Sequence, residues 1–252
     1  MSFTPYTSTV RFHSPLGTAW EQYLADMQAV FTPTRWKGDG TEPVVIIAMG
    51  SGSDWSTMFH PDLITPVVRA VLAAGAAAAV SPFGGDLYAN PTARTAMTAL
   101  VDHCTGPAVG AAPAVGWFGF SMGGQSALVW AGHHRDRTAF VTAAAPLVDV
   151  TAIAGSPALD AAYPGGWTEV AHGADTNPIT LAAAGAYTDL PITCAYSTDD
   201  TLITPTAVHT FAATAGPAAT TIAVGDLGHD WPIATHPDTL HALTTHLERI
   251  RP

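Results

Sequence analysis

From residue 43 onward the chain alternates short unbroken apolar runs with stretches whose apolar residues recur every three or four positions. Pro43–Met49 (PVVIIAM), Ala76–Ser81, Ala114–Phe120 (AVGWFGF), Phe140–Ala145, Ile192–Tyr196 and Thr220–Val224 belong to the first kind. A continuous run of this length, rich in β-branched and aromatic residues, is the pattern of a strand buried on both faces. The second kind predicts helices. One runs from about Pro61 with Leu63, Val67, Val68 and Val71 on one face and stops at Gly75. Others are predicted over Pro91–Cys104, Met122–His133, near Thr206–Ala213, and from about Pro237, where Leu240, Leu243, Leu247 and Ile250 form a core stripe. Ahead of residue 43, Thr7–His13 reads as a strand, and Trp20, Tyr23, Leu24, Met27, Val30 and Phe31 follow a helical spacing.

Repeated strand–helix units predict an α/β architecture, a doubly wound and mostly parallel sheet. No repeat and no linker divides the chain, so residues 1–252 are expected to form one domain, with 1–40 an N-terminal extension outside the regular alternation. Residues 148–186 lose the alternation and are punctuated by Gly155, Pro157, Pro164, Gly165, Gly166 and Pro178, which predicts an insertion over the domain. Its Tyr163, Trp167, His172 and Leu181 could form an apolar cap.

Composition narrows the class. Apolar residues make up 48% of the chain and charged residues 12%, which excludes intrinsic disorder. Nine Lys plus Arg against twenty Asp plus Glu give a formal charge of −11, with Lys37 the only lysine, so nucleic acid is excluded as a partner. Cys104 and Cys194 make neither a disulfide framework nor a metal pair and are expected to be buried. The N-terminal stretch lacks the basic start and apolar run of a secretory signal, and the Ala-rich segment Val71–Val80, broken by Gly75, is too short to span a membrane. The expected location is cytoplasmic. The Ala, Thr and Gly usage resembles GC-rich actinobacteria and their phages, where the location would be a virion and the chain part of a larger particle.

The most informative motif is Gly119-Phe120-Ser121-Met122-Gly123, a G-x-S-x-G pattern set between a predicted strand and a predicted helix. A serine at such a turn projects its Oγ from the C-terminal edge of the sheet, and the helix behind it points backbone N–H groups at a developing oxyanion. The serine needs a base on a neighbouring loop. His229, in Gly225-Asp226-Leu227-Gly228-His229-Asp230, follows the last strand; His13, His133, His134, His241 and His246 lie in or near helices or the terminus and read as surface groups. The imidazole needs an orienting carboxylate. The loop after Ile192–Tyr196 offers Asp200 and Asp199, and Asp149 follows the preceding strand. Asp86, Tyr88 and Asn90, in PFGGDLYANP, fall at the same sheet edge and read as turn residues. The histidines and carboxylates show no metal-ligand spacing, and no dinucleotide or Walker loop follows a strand, so neither metal nor cofactor is expected.

On AMGSGSDW after the first core strand, GFSMGG at the serine turn, NPITLAAAGAYTDLPITCAYSTDDTLITP, and GHDW before the last helix, the chain from Pro43 to its end resembles α/β-hydrolase-fold serine hydrolases. The resemblance implies a catalytic set of Ser121, Asp200 and His229. It favours Asp200 over Asp199 because Asp200-Thr201-Leu202-Ile203 matches the family's acid loop. It also implies an oxyanion hole made by the N–H groups of Met122 and Ser51, with Gly52 as the alternative second donor. Met49 stands where many members carry histidine, which leaves the anchoring of this loop open. The implied activity is hydrolysis of a carboxylic ester, a small molecule or an envelope-derived ester, through an acyl-enzyme. From the composition of the insertion, Tyr163, Trp167 and Leu181 are expected to contact substrate. The same fold hosts peptidases, thioesterases and acyltransferases. A module that keeps the fold without turnover, such as a phage tail component, is the alternative from another class.

Overall fold

The computed structural model describes residues 28–53, 57, 60 and 62–251, together with the backbone of 9–13 and 19–23. Seven strands form the main sheet: β3 (Ala29–Phe31), β4 (Val44–Ala48), β5 (Ala77–Ser81), β6 (Val115–Phe120), β7 (Thr138–Ala144), β8 (Ile192–Tyr196) and β9 (Ala219–Ala223), in the order β3-β5-β4-β6-β7-β8-β9. All pairs are parallel except the edge pair β3–β5. β4 and β5 are buried at every position because the connecting helices cover both faces.

One face carries α1 (Ile64–Ala73), the short α7 (Pro232–Thr235) and the C-terminal α8 (Pro237–Ile250), whose Val67, Val71, Ile233, Leu243 and Leu247 pack with Val45, Ile47 and Phe118 from the sheet. The other carries α2 (Pro91–Thr105), α3 (Met122–His133) and α6 (Pro205–Ala215), with Leu100, Leu128, Trp130 and Phe211 against Ile46, Trp117 and Val141. Asn90 caps α2 by accepting from Ala93 N at 3.0 Å, and Pro91 occupies the first turn, where no amide hydrogen is needed. Between β7 and β8 the chain forms the short helices α4 (Pro157–Ala162) and α5 (Pro178–Ala183), with a π turn at Glu169–Gly173 between them. Among the described residues, no helix is long and apolar enough to cross a membrane.

The expected helix through Trp20–Phe31 is not formed. β2 (Ala19–Tyr23) pairs antiparallel with β1 (Thr9–His13), and β3 pairs with β5 through Ala29↔Val80 and Phe31↔Ala78. Leu24 and Met27, which completed the helical spacing, lie outside the described residues. An unpaired edge on β5 outweighs the weak local preference of three or four apolar positions, since each strand residue added there gains ladder hydrogen bonds and burial together. Both cysteines are buried as expected, and burial raises their thiol pKa values, Cys194 to about 12.

His246 corrects a second expectation. It is a core residue, 7% exposed, stacked on Phe140 of β7 with ring centroids 5.0 Å apart and hydrogen-bonded through Nε2 to Thr193 Oγ1 of β8 at 2.9 Å. Burial, with a smaller contribution from Arg249, lowers its pKa to about 4. The unfolded chain protonates this histidine near pH 6.5, whereas the folded chain resists until about pH 4. Stability is therefore fully present above pH 6.5 and falls as the pH drops through that window, by an amount on the order of 2 kcal/mol after allowing for partial solvent screening. Urea midpoints at pH 7 and pH 5 should show the loss, and His246→Gln should flatten the difference; an unchanged pH slope in the variant would assign the loss to other groups.

Candidate active site

The elements converge at the C-terminal edge of the sheet. Ser121 follows β6 with φ 53° and ψ −118°, a backbone region that side chains rarely occupy and that costs roughly 1–3 kcal/mol. The strain is imposed by close packing. A Cβ on Gly119 would overlap the Gly123 carbonyl, and one on Gly123 would overlap the carbonyl oxygens of Ala48 and Met49. The first turn of α3 thus sits directly on the end of β4. Ser121 also anchors the turn with its backbone, its N–H donating to Ala144 O at 3.0 Å while its carbonyl accepts from Leu147 N at 3.1 Å.

Asp200 lies in the loop after β8, its side chain fully buried. One oxygen, Oδ1, accepts from Leu202 N at 2.9 Å and Ile203 N at 2.8 Å; the other lies 2.8 Å from His229 Nδ1. His229, on the loop after β9, places Nε2 2.9 Å from Ser121 Oγ. Its ring rests against Phe120, and Phe120 in turn stacks on Trp231 with centroids 4.4 Å apart. Three loops far apart in sequence therefore present a continuous line from carboxylate to imidazole to hydroxyl. The His229 side chain, 18% exposed, is the more open end of the buried pair.

The competing carboxylates have other partners. Asp199 Oδ1 accepts from Ser197 Oγ at 2.5 Å and from Gly228 N at 2.7 Å, so this solvent-facing residue ties the His229 loop to the Asp200 loop. These hydrogen bonds, the Ser197 hydroxyl first, hold its carboxyl below the ordinary carboxylate range. Ser197 Oγ also accepts from Leu227 N at 2.7 Å, a second strut of the same kind that the sequence did not signal. Asp149 caps its own turn through Thr151.

Met122 opens α3, and Ala48 of β4 pairs with Gly119 of β6, which carries residues 49–52 alongside 120–122. Gly50 lies against Phe120, where a Cβ would come within 3.0 Å of the ring. Gly50–Ser53 forms a turn closed by Ser53 N to Gly50 O at 3.3 Å, and the Gly52 N–H is already donated to Asp86 Oδ1 at 2.8 Å. Of the two amides considered on this loop, Gly52 is therefore engaged elsewhere.

The apolar residues expected to contact substrate are in the core instead. Tyr163 is 2% exposed with its hydroxyl donating to Tyr88 O at 2.7 Å, Trp167 is 4% exposed with Nε1 donating to Thr176 Oγ1 at 3.0 Å, and Leu181 is 6% exposed. They join the segment after β7 to α3 and to the loop after β5, because a segment this long buries its own aromatic residues before it can offer them to a ligand. Apolar surface beside Asp200 and His229 comes from Leu202, about half exposed, and from half-buried Leu227 and Trp231.

Comparison with known proteins follows the same lines. Residues 24–224 match the model of the Esterase family. No curated protein sequence matches the chain. Among solved structures, an S-formylglutathione hydrolase from Agrobacterium tumefaciens is similar with a TM-score of 0.69 at 16% identity, covering 99% of this chain and 100% of its own. Est1E from Butyrivibrio proteoclasticus gives 0.66 at 17% identity, covering 97% and 99%. A prolyl endopeptidase gives 0.65 at 16% identity over 96% of this chain but 38% of its own, so the shared fold by itself does not choose the bond cleaved. The family match over most of the length makes that choice: this chain belongs to the Esterase family and is a carboxylic ester hydrolase of the α/β-hydrolase fold.

Proposed function

We propose that the chain hydrolyses its ester through a covalent acyl-enzyme, with Ser121 as nucleophile, His229 as general base and acid, and Asp200 as the group that orients the imidazole. The observation that carries this reading is the pair of contacts, 2.8 Å from Asp200 to His229 and 2.9 Å from His229 to Ser121, at a strained strand-to-helix turn. Ser121 Oγ attacks the carbonyl carbon while its proton moves to His229 Nε2, and the carbonyl π pair moves onto oxygen. The N–H groups of Met122 and Ser51 receive that oxyanion. Its collapse expels the alkoxide, which leaves with the proton from His229. Water then adds to the acyl carbon, giving a proton to His229, and the acid is released as Oγ recovers its hydrogen. Peptide mass mapping of the protein quenched during turnover of a slow ester should show the acyl group on the peptide that contains Ser121. Acylation at another residue would overturn the assignment.

Charge points to the class of ester. Residues 148–186 contain no Lys or Arg but contain Asp149, Asp160, Glu169 and Asp175, while Asp86, Asp199, Asp226 and Asp230 lie in the loops at the same sheet edge. Arg94, the arginine nearest that segment, is engaged with His133 at 3.2 Å and Asp175 at 3.9 Å. Such a rim repels anionic substrates and does so less in salt. A neutral ester should therefore show a several-fold higher kcat/KM than its ω-carboxylate analogue at low ionic strength, with the gap narrowing in high salt. Preference for the anionic analogue would overturn the assignment to neutral esters. A panel that adds a thioester and an anilide distinguishes an esterase from a thioesterase or a peptidase.

A further inference from the structure

We infer that Asp86 is a positioning residue for ester hydrolysis: its carboxylate sets the backbone of the loop that carries the Ser51 N–H and so holds one half of the oxyanion hole in place. The inference rests on the reading of Ser121 as nucleophile and goes beyond it by assigning what fixes the hole.

The Gly50–Ser53 turn has Gly52 at its third position with φ +74°, and Ser51 is not among the residues of positive φ. That is the φ pattern of a type II turn. The Gly52 N–H belongs to the peptide that joins Ser51 to Gly52, so a bond to it fixes the chain immediately after Ser51. This N–H donates to Asp86 Oδ1 at 2.8 Å. The preceding residue, Met49, is a buried apolar side chain and supplies no hydrogen bond to the turn. Asp86 is the side chain that ties Ser51 to the loop after β5.

Asp86 can do so because its own loop is held rigidly. Phe83, Tyr88 and Ala89 have positive φ, a conformation that in residues other than glycine persists only under external restraint. The restraints are buried. Gln125 Nε2 donates to Tyr88 O at 3.1 Å, Tyr163 Oη donates to the same carbonyl at 2.7 Å, and Asn90 Nδ2 donates to Ala162 O at 2.7 Å. Gln125 sits one turn along α3 from Ser121, its N–H bonded to the Ser121 carbonyl at 3.1 Å. The helix that carries Met122 therefore also fixes Ser51, by way of Gln125, Tyr88, Asp86 and Gly52. Both proposed donors are referred to one rigid element, and this preorganisation is what makes an oxyanion hole effective.

The test compares Asp86→Ala with Asp86→Asn, whose amide oxygen can still accept the Gly52 N–H. Three quantities are measured: kcat, KM, and the affinity of an aryl trifluoromethyl ketone. Addition of Ser121 Oγ to that ketone moves the hydroxyl proton to His229 and leaves an oxyanion in the hole. Asp86→Ala should lower kcat by roughly 10- to 100-fold with KM little changed, and ketone affinity should fall by the same factor as kcat/KM. Asp86→Asn should stay within about 3-fold of the parent on all three. If the alanine variant is unstable by thermal melting, Asp86→Leu, which keeps the bulk and lacks an acceptor, takes its place. Parent-like kcat in the variant without an acceptor, a loss of kcat that leaves ketone affinity unchanged, or an asparagine variant as impaired as alanine would each overturn the inference. Labelling of the parent protein by a fluorophosphonate separates the two failures: an unlabelled Ser121 refutes the nucleophile, whereas a labelled Ser121 with an indifferent Asp86 refutes only the positioning role.

Discussion

Replacing Ser121 by alanine is expected to lower ester hydrolysis by about 10³-fold or more and to abolish fluorophosphonate labelling while leaving the fold intact. The side chain makes no capping bond to α3, and among the described residues its contact with His229 Nε2 at 2.9 Å is the one hydrogen bond its hydroxyl forms. Alanine carries the same Cβ into the strained turn, so the backbone cost at φ 53° is unchanged. What disappears is the oxygen that attacks, and the remaining groups can only stabilise attack by water. Circular dichroism and thermal melting of the variant should match the parent, with turnover of a nitrophenyl ester near background. Parent-like turnover would refute the covalent mechanism.

The second large effect separates two adjacent carboxylates. Asp200→Asn should reduce kcat by roughly 10²- to 10⁴-fold, and Asp199→Asn by less than about 10-fold. Asp200 Oδ1 accepts two backbone N–H groups, from Leu202 and Ile203, so an asparagine there must keep its oxygen on that side. Its amide NH2 then faces His229 Nδ1, where the carboxylate oxygen now stands at 2.8 Å. Nδ1 becomes an acceptor, and the ring's hydrogen moves to Nε2, pointing at the hydroxyl whose proton it should take. Asp199 touches Ser197 and Gly228 through Oδ1 alone, and an asparagine oxygen can accept both bonds. Steady-state kinetics of the two variants decides the matter, and the reverse ranking would move the acid by one residue.

Legibility differed between elements for identifiable reasons. β8, α3 and the start of α8 fall where the apolar patterning placed them, because each carries a long unambiguous run or a clear start signal. β3 did not, since three apolar residues fit either period and the choice was made by the free edge of β5. His246 looked like one of several helix histidines. Which face of α8 it occupies depends on the packing of that helix against Phe140 and Thr193, residues more than fifty positions away. Tyr163, Trp167 and Leu181 were recognised as apolar residues in a long excursion, but whether such residues face a ligand or the protein is a property of the assembled surface.

The sequence by itself determined the parallel α/β sheet, the serine turn, the placing of candidate carboxylates and of His229 on loops that follow later strands, and the acidic character of the surface, because runs, turn residues and net charge are properties of neighbouring positions or of sums over the chain. Only the tertiary structure decided that Asp199 ties loops together while Asp200 meets His229, that the predicted substrate contacts are core residues, and that Asp86 takes the Gly52 amide. Each of those outcomes is a distance between groups on separate loops. Such distances are set by how the sheet twists and how helices seat upon it, which no local pattern of residues encodes.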